Sequence, residues 1–200
     1  HHHADHTDGN LDLKRLTGCK IIGPKGEAAK IPGIDQTVSE GDAFAFGGFK
    51  VHVLETPGHT AGHITFWIPA AGVAFVGDTV FAMGCGRVIE GTMEQMWSSV
   101  SKIAKLPPAT RLYCGHEYTM SNAKFALTIE PENAAIRKRV EEVAALRTAG
   151  KPTLPTRVDV ELETNPFLRA QVASVRTHLG LEGAKDWQVF AEIRERKNRA

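Results

Sequence analysis

The apolar residues of this chain fall into two textures that meet near residue 116. Before it, they come in short runs broken by glycine and proline. Ile64-Thr65-Phe66-Trp67-Ile68, Val73-Ala74-Phe75-Val76 and Arg111-Leu112-Tyr113-Cys114 predict strands, and residues 43–46 and 49–55 predict a hairpin turning at Gly47-Gly48. Residues 19–22 predict a further short buried strand, ended by Gly23-Pro24-Lys25-Gly26, and residues 27–38 a loop around Pro32-Gly33. Two stretches in this half have helical spacing. One covers 11–16 and is closed by Gly18. The other covers 93–105, with Met96, Trp97, Val100, Ile103 and Ala104 on one face and Pro107-Pro108 as its stop. Residues 83–91 carry Gly84, Gly86 and Gly91 and no periodicity, which marks a functional or strained loop.

After Gly115 helical spacing takes over. Helices are expected over 121–129, 133–149 (capped by Asn133, ended by Gly150 and Pro152), 167–179 and 186–196, with 151–165 as a proline-containing linker. The expected organisation is a strand-rich domain, 1–116, followed by a helical domain, 117–200. The sequence shows no internal repeat or low-complexity tract.

Composition narrows the class. With 200 residues, 42% hydrophobic and 24% charged, the chain can bury a core without disulfide help. A net charge of +1 gives no overall field for nucleic acid or an anionic membrane, and no apolar run is long enough to span a bilayer. The three cysteines, Cys19, Cys85 and Cys114, are odd in number and widely spaced. They suggest a reducing, cytoplasmic setting rather than a disulfide framework.

Histidine is the informative residue. Four of the nine lie in the first six positions, as His1-His2-His3-Ala4-Asp5-His6. A purification tag would give consecutive histidines and then a linker; the break into His-x-His-x-Asp-His is a pattern with few structural reasons behind it. His1 and His3 point the same way in extended backbone. His59, Asp78 and His116 each follow a predicted strand, and three strand-to-loop junctions converge readily at one sheet edge. Taken singly, His59 suits a turn, Asp78 a helix cap and His116 a hydrogen bond to Glu117 or Tyr118. Beside the first motif they become ligand candidates. Five imidazoles and two carboxylates suit borderline divalent metals, zinc first, with iron or manganese as alternatives. Two such ions roughly 3.5–4 Å apart give hydroxide near neutral pH, with Asp78 able to bridge them. No Gly-x-Ser-x-Gly elbow competes for the role of nucleophile. His63 is expected to orient the loop by hydrogen bonding rather than to ligate.

These residues resemble the metallo-β-lactamase superfamily, whose hallmark is His-x-His-x-Asp-His followed by separate His, Asp and His ligands. Further segments resemble one family within it, the glyoxalase II family (hydroxyacylglutathione hydrolases). They are Thr56-Pro57-Gly58-His59-Thr60, Gly84-Cys85-Gly86-Arg87, Tyr113-Cys114-Gly115-His116-Glu117-Tyr118, Glu130-Pro131-Glu132-Asn133 and Asn165-Pro166-Phe167-Leu168-Arg169. The resemblance implies an α/β fold, the metallo-β-lactamase αββα sandwich, followed by a small all-α C-terminal domain. It also implies that the first strands of the sandwich, which family members carry ahead of this motif, are missing.

It further implies two divalent metal ions. One would be held by His1, His3 and His59 and the other by Asp5, His6 and His116, with Asp78 and a hydroxide between them, so that Asp5, His6 and Asp78 are the catalytic residues. The implied substrate is a glutathione thioester, typically S-D-lactoylglutathione, split to glutathione and a 2-hydroxy acid in the second step of methylglyoxal detoxification. Arg87, Tyr118, Arg194 and Lys197 would hold the substrate. Arg87 stands where the family commonly has lysine, Ile89 where it has tyrosine, and Asp8 where it generally has glycine. A monomer with no nucleic-acid or membrane partner is expected. Two other functions share these features: a mononuclear-iron persulfide dioxygenase, and an inactive metal-binding fragment.

Overall fold

A computed structural model describes residues 1–200. The chain opens with two short helices, α1 (Ala4–Thr7) and α2 (Asn10–Thr17), the second closed by Gly18 in a left-handed conformation. Strands β1 (Ile22–Pro24) and β2 (Gln36–Val38) form a separate parallel pair, with a 3-10 helix, Lys25–Lys30, between them. Next come β3 (Ala43–Phe46), β4 (Phe49–Glu55), β5 (Ile64–Ile68) and β6 (Val73–Gly77). A small hairpin, β7 (Val80–Phe81) and β8 (Gly84–Cys85), leads into α3 (Met93–Ala104) and then β9 (Arg111–Cys114). The remainder is α4 (Thr119–Ile129), α5 (Ala134–Thr148), β10 (Thr156–Arg157), α6 (Val158–Thr164), α7 (Ala173–Leu179) and α8 (Asp186–Asn198).

The main sheet has the order β10-β9-β6-β5-β4-β3, antiparallel throughout except for β6 and β9. Two parallel strands need a crossover, and α3 supplies it. Its start is fixed by a capping box: Thr92 Oγ1 accepts the Gln95 N–H, and Gln95 Oε1 accepts the Thr92 N–H. Its apolar face, Met96, Val100 and Ile103, covers Ala74 and Val76 of β6 and Leu112 of β9. The same cluster takes in Phe167 and, from α8, Val189, Phe190 and Ile193. The C-terminal helices therefore share one core with the sheet. The opposite face of the sheet carries aromatics, with Phe44 edge-on to Phe66 and Phe75 stacked on Tyr113.

The hairpin, β5, β6, α3 and β9 lie where the apolar pattern predicts. Five stretches differ. The helix expected over 167–179 is broken: Pro166–Leu168 is a 3-10 turn started by the Asn165 side chain, and α7 begins only at Ala173. In the other four the difference has a tertiary cause. The strand expected at 19–22 runs from Ile22 through Pro24, because β2 pairs along Gly23 and Pro24, residues that read as a stop. A proline is tolerated there because the pair is only two strands wide, so every strand in it is an edge. The loop expected at 27–38 contains the 3-10 helix and β2; its buried anchor is the polar Glu27, which leaves no apolar period. Within 83–91, β8 pairs back on β7 around Met83, which has φ 58°. That turn is pinned from far along the chain: Glu161 Oε2 accepts the Met83 N–H, and Asn165 Nδ2 donates to the Phe81 and Gly84 carbonyls. The linker expected at 151–165 holds β10, which pairs with β9 at the sheet edge, and α6, whose Val158 enters the core.

Truncating the centre of the shared core is expected to destabilise both ends of the chain together. Ile103→Ala should cost about 2–5 kcal/mol. It should do so in a single denaturant transition followed by both tryptophan fluorescence and helical circular dichroism.

Candidate metal centre and cleft

The sheet order delivers three of the expected ligands to one edge. β4, β6 and β9 point the same way, so their C-terminal ends lie at one edge of the sheet, with the start of β5 between those of β4 and β6. His59 follows β4, Asp78 follows β6 and His116 follows β9. The last two junctions are tied directly, the Gly115 N–H donating to the Gly77 carbonyl at 2.9 Å. The N-terminal segment lies against this edge. His3 is extended (φ −60°, ψ 145°) and α1 begins immediately after it, so His1 and His3 precede the helix while Asp5 and His6 stand on it. Thr7 Oγ1 donates to the His3 carbonyl and secures the bend.

Two clusters result. His1 Nε2 and His59 Nε2 each lie 3.1 Å from His3 Nδ1. His6 Nε2 lies 3.3 Å from His116 Nε2, which lies 3.2 Å from Asp5 Oδ2. Asp78 sits between the clusters: Oδ2 is 3.3 Å from His59 Nε2 and 3.4 Å from His116 Nε2, and Oδ1 is 3.3 Å from His6 Nε2. The glycine at 115 is required by this approach. A Cβ there would stand 2.5 Å from Asp78 Oδ1 and 2.6 Å from His6 Cε1.

These residues fit divalent ions. A zinc–nitrogen distance of about 2.0–2.1 Å in tetrahedral geometry implies donor–donor edges of about 3.3 Å. Asp78 Oδ1 is buried and has no hydrogen-bond partner within the protein, an arrangement that is costly without a cation beside it. Burial pushes the Asp78 carboxyl up, but the His59 hydrogen bond and the charges of His6, His59 and His116 outweigh burial and hold it below the usual carboxylate value. The ring orientations are also set. His59 Nδ1 faces the Arg87 carbonyl at 2.8 Å, which leaves Nε2 for a ligand role. His63 is fully buried and accepts the Asp78 N–H at Nε2, while the Thr56 and Thr79 hydroxyls meet its Nδ1. Burial lowers its pKa to about 3, so it stays neutral and acts as an acceptor. Burial raises the Cys85 and Cys114 thiols to about 11, so neither supplies a thiolate near neutral pH.

Residues 1–116 match the metallo-beta-lactamase superfamily, and residues 117–200 match the family described as hydroxyacylglutathione hydrolase C-terminus. Over 198 residues the chain is 56% identical to the hydroxyacylglutathione hydrolase of Brucella ovis, covering 99% of this chain and 77% of that protein. The chain belongs to the hydroxyacylglutathione hydrolase family. Among solved structures, ETHE1 from Myxococcus xanthus covers 99% of this chain and 67% of its own at a TM-score of 0.65 and 23% identity. The BLEG-1 B3 metallo-beta-lactamase covers 84% of this chain and 74% of its own at 0.59 and 20%. At these identities the two structures share the metallo-beta-lactamase fold with this family member and no more.

The two clusters open onto a cleft of about 430 Å³. His3, Asp5, His59, Asp78 and His116 line it, while His1 and His6 line a separate cavity on the far side, together with Phe66 and Phe75. All four residues expected to hold substrate also line the cleft. Tyr118 stacks on the His116 ring, with centroids 4.8 Å apart and planes within 8°. Arg87 is exposed at the mouth. Lys197 Nζ lies 2.9 Å from Ser121 Oγ. Arg194 is only 4% exposed; it donates to the Cys85 carbonyl at 2.8 Å and packs over the Phe167 ring. It therefore braces the cleft wall as well as lining it. Two contributors have no signature in the sequence: the Arg87 carbonyl and Glu27. A backbone acceptor carries no residue code, and Glu27 lies in a segment without periodicity.

Gly115→Ala should destroy this centre while leaving the distant core intact. The expected result is a folded protein whose metal content, measured by atomic emission after dialysis, falls well below that of the unsubstituted chain.

Proposed function

We propose that this chain hydrolyses S-D-lactoylglutathione and related glutathione thioesters, using a pair of divalent ions at the two histidine clusters. The observation that carries this reading is Asp78, a buried carboxylate with ring nitrogens of both clusters within 3.4 Å of it. In this reading His1, His3 and His59 hold one ion, Asp5, His6 and His116 hold the other, and Asp78 faces both. Zinc suits a donor set dominated by imidazole, with iron and manganese as other occupants. When bound, the ions supply a water-derived nucleophile near neutral pH and polarise the thioester carbonyl.

The protein's own part is orientation and charge. Asp78, held by the His63 acceptor at its backbone N–H, keeps the two clusters in register. Asp5 is 58% exposed on its side chain, so one carboxylate oxygen is free to take the proton lost by the attacking water. A C–O bond forms at the carbonyl carbon, the C–S bond breaks, and glutathione leaves as a thiolate stable enough to need no strong general acid. Glutathione carries two carboxylates, and the cleft offers Arg87, Lys197 and Arg194 to meet them. Lys197, with its pKa lowered by partial burial and by Arg194, is in place at the C-terminal wall. Tyr118 lines the same cleft, its ring stacked on His116. The three cysteines are all free, which supports a cytoplasmic setting. No helix is long and apolar enough to cross a membrane.

Removal of metal with a chelator should abolish thioester hydrolysis, and reloading should restore it at two ions per chain. One iron per chain, with oxygen uptake on glutathione persulfide, would overturn the hydrolase reading. Asp78→Ala should lose both turnover and metal; a variant with full metal content and full activity would remove Asp78 from the centre. Lys197→Ala should raise KM by about tenfold, equivalent to ~1.4 kcal/mol, with kcat retained. Arg194→Ala should raise KM and lower the melting temperature as well, since it also releases the Cys85 carbonyl.

A further inference from the structure

Beside the His1, His3 and His59 cluster lies a second polar cluster that the reaction does not use. His2 points away from its neighbours into a pair of glutamates: Nδ1 is 3.0 Å from Glu27 Oε2, and Nε2 is 3.2 Å from Glu90 Oε1. Glu27 is 3% exposed. Its Oε2 also accepts the His2 N–H at 2.9 Å, and its Oε1 accepts the Gly62 N–H at 2.7 Å. Glu90 Oε2 accepts the Ala61 N–H at 2.9 Å, and Lys30 Nζ reaches Glu90 Oε1 at 3.3 Å.

One His and two Glu also have the composition of a third cation site. Their bonding argues otherwise. Every carboxylate oxygen in the cluster already accepts a backbone N–H or the Lys30 ammonium, while His2 Nδ1, buried beside Glu27, makes no hydrogen bond of its own. What the cluster joins is more telling. Glu27 ties the backbone between His1 and His3 to the loop that carries His59. Glu90 ties that same loop to the segment whose Arg87 carbonyl orients the His59 ring. Three separate stretches of chain meet at two carboxylates, and each stretch carries or aims a donor of one cluster. The fit is close: a Cβ on Gly62 would stand 2.7 Å from Glu27 Cγ. In the second cluster the counterpart is Glu117 beside His116, which accepts the Thr153 N–H at 3.0 Å and so ties His116 to a stretch that carries no donor, and the Asp5 side chain is largely exposed.

We propose that Glu27 and Glu90, bridged by His2, are positioning residues that clamp the His1, His3 and His59 half of the centre into its binding geometry. This rests on the metal-centre reading above and adds to it an asymmetry between the two half-sites. Groups that orient metal ligands typically set affinity by 10- to 100-fold.

The test is Co²⁺ titration, followed by the visible absorption of the bound ion, in two half-site proteins. His116→Ala keeps the clamped half, and His3→Ala keeps the other. Adding Glu27→Ala should weaken Co²⁺ binding about 10- to 100-fold and alter the spectrum in the first, and change it less than about twofold in the second. A second pair covers a failure of Glu27→Ala to fold. Glu90→Gln retains an oxygen for the Ala61 N–H and an amide for His2, and should bind Co²⁺ close to normally in the His116→Ala protein; Glu90→Ala should not. Equal weakening in both half-site proteins, or none in either, overturns the clamp while leaving the metal centre standing. An unsubstituted chain that binds no Co²⁺ overturns the metal-centre reading and the clamp with it.

Discussion

Asp78 is the point on which the arrangement depends. It is buried, its Oδ1 finds no protein donor, and four histidine rings from three parts of the chain crowd within 3.9 Å of its oxygens. A charged group taken out of water needs compensation, and the imidazoles supply it by themselves only by carrying charge while they crowd one another. The cost is met when cations sit among them. The same feature that makes the site unfavourable as bare protein makes it a strong binding site, because the donors are already gathered and partly desolvated. Pre-gathering is done by topology. Three strands that run the same way end at one edge, and only β6 and β9 need a crossover to achieve it. α3 therefore serves two ends: its apolar face completes the core, and its path returns the chain in the sense that places His116 beside Asp78.

Around this point the protein uses two kinds of support. One is direct and rigid: the His63 ring under the Asp78 N–H, itself held by two threonine hydroxyls and kept neutral by burial. The other works through backbone: the Arg87 carbonyl on His59, and the glutamate bridge across His2. Both kinds satisfy polar groups that would otherwise be stranded in a dry region, and both restrict where a ligand nitrogen can point. The opening histidine run reads differently in this light. His1 and His3 face the centre, while His2, of the opposite parity in extended backbone, faces the carboxylates behind it.

Much of this was legible from the residues alone, and the reasons are physical. Alternation and helical spacing found β3 to β6, α3 and β9, because each has one face on the core. The ligand candidates were visible because His-x-His-x-Asp-His is rarely structural and because His59, Asp78 and His116 each end a strand. The missing parts are those whose order comes from contacts made elsewhere. β10 has only two residues, at a sheet edge. The β7–β8 turn stands on Glu161 and Asn165, roughly eighty residues away. Glu27 lies in a stretch with no period, and nothing in its local sequence marks it as buried. Arg194 reads from the resemblance as a substrate contact; its burial over Phe167 gives it a structural task as well.

That double task bears on why the helical segment accompanies the sheet at all. α8 contributes Val189, Phe190 and Ile193 to the same core that α3 lays against β6 and β9. From the next positions along the helix it sends Arg194 to the Cys85 carbonyl and Lys197 to the cleft. Cys85 is followed by Gly86 and then Arg87, whose carbonyl orients His59. A displacement of α8 would thus reach the histidine clusters through one short run of backbone, and it would move the cations that line the cleft in the same motion. Packing energy from a shared core is large compared with any single polar contact in the cleft. It is this packing, rather than the hydrogen bonds at the rim, that keeps the cleft-lining charges at a set distance from the two clusters.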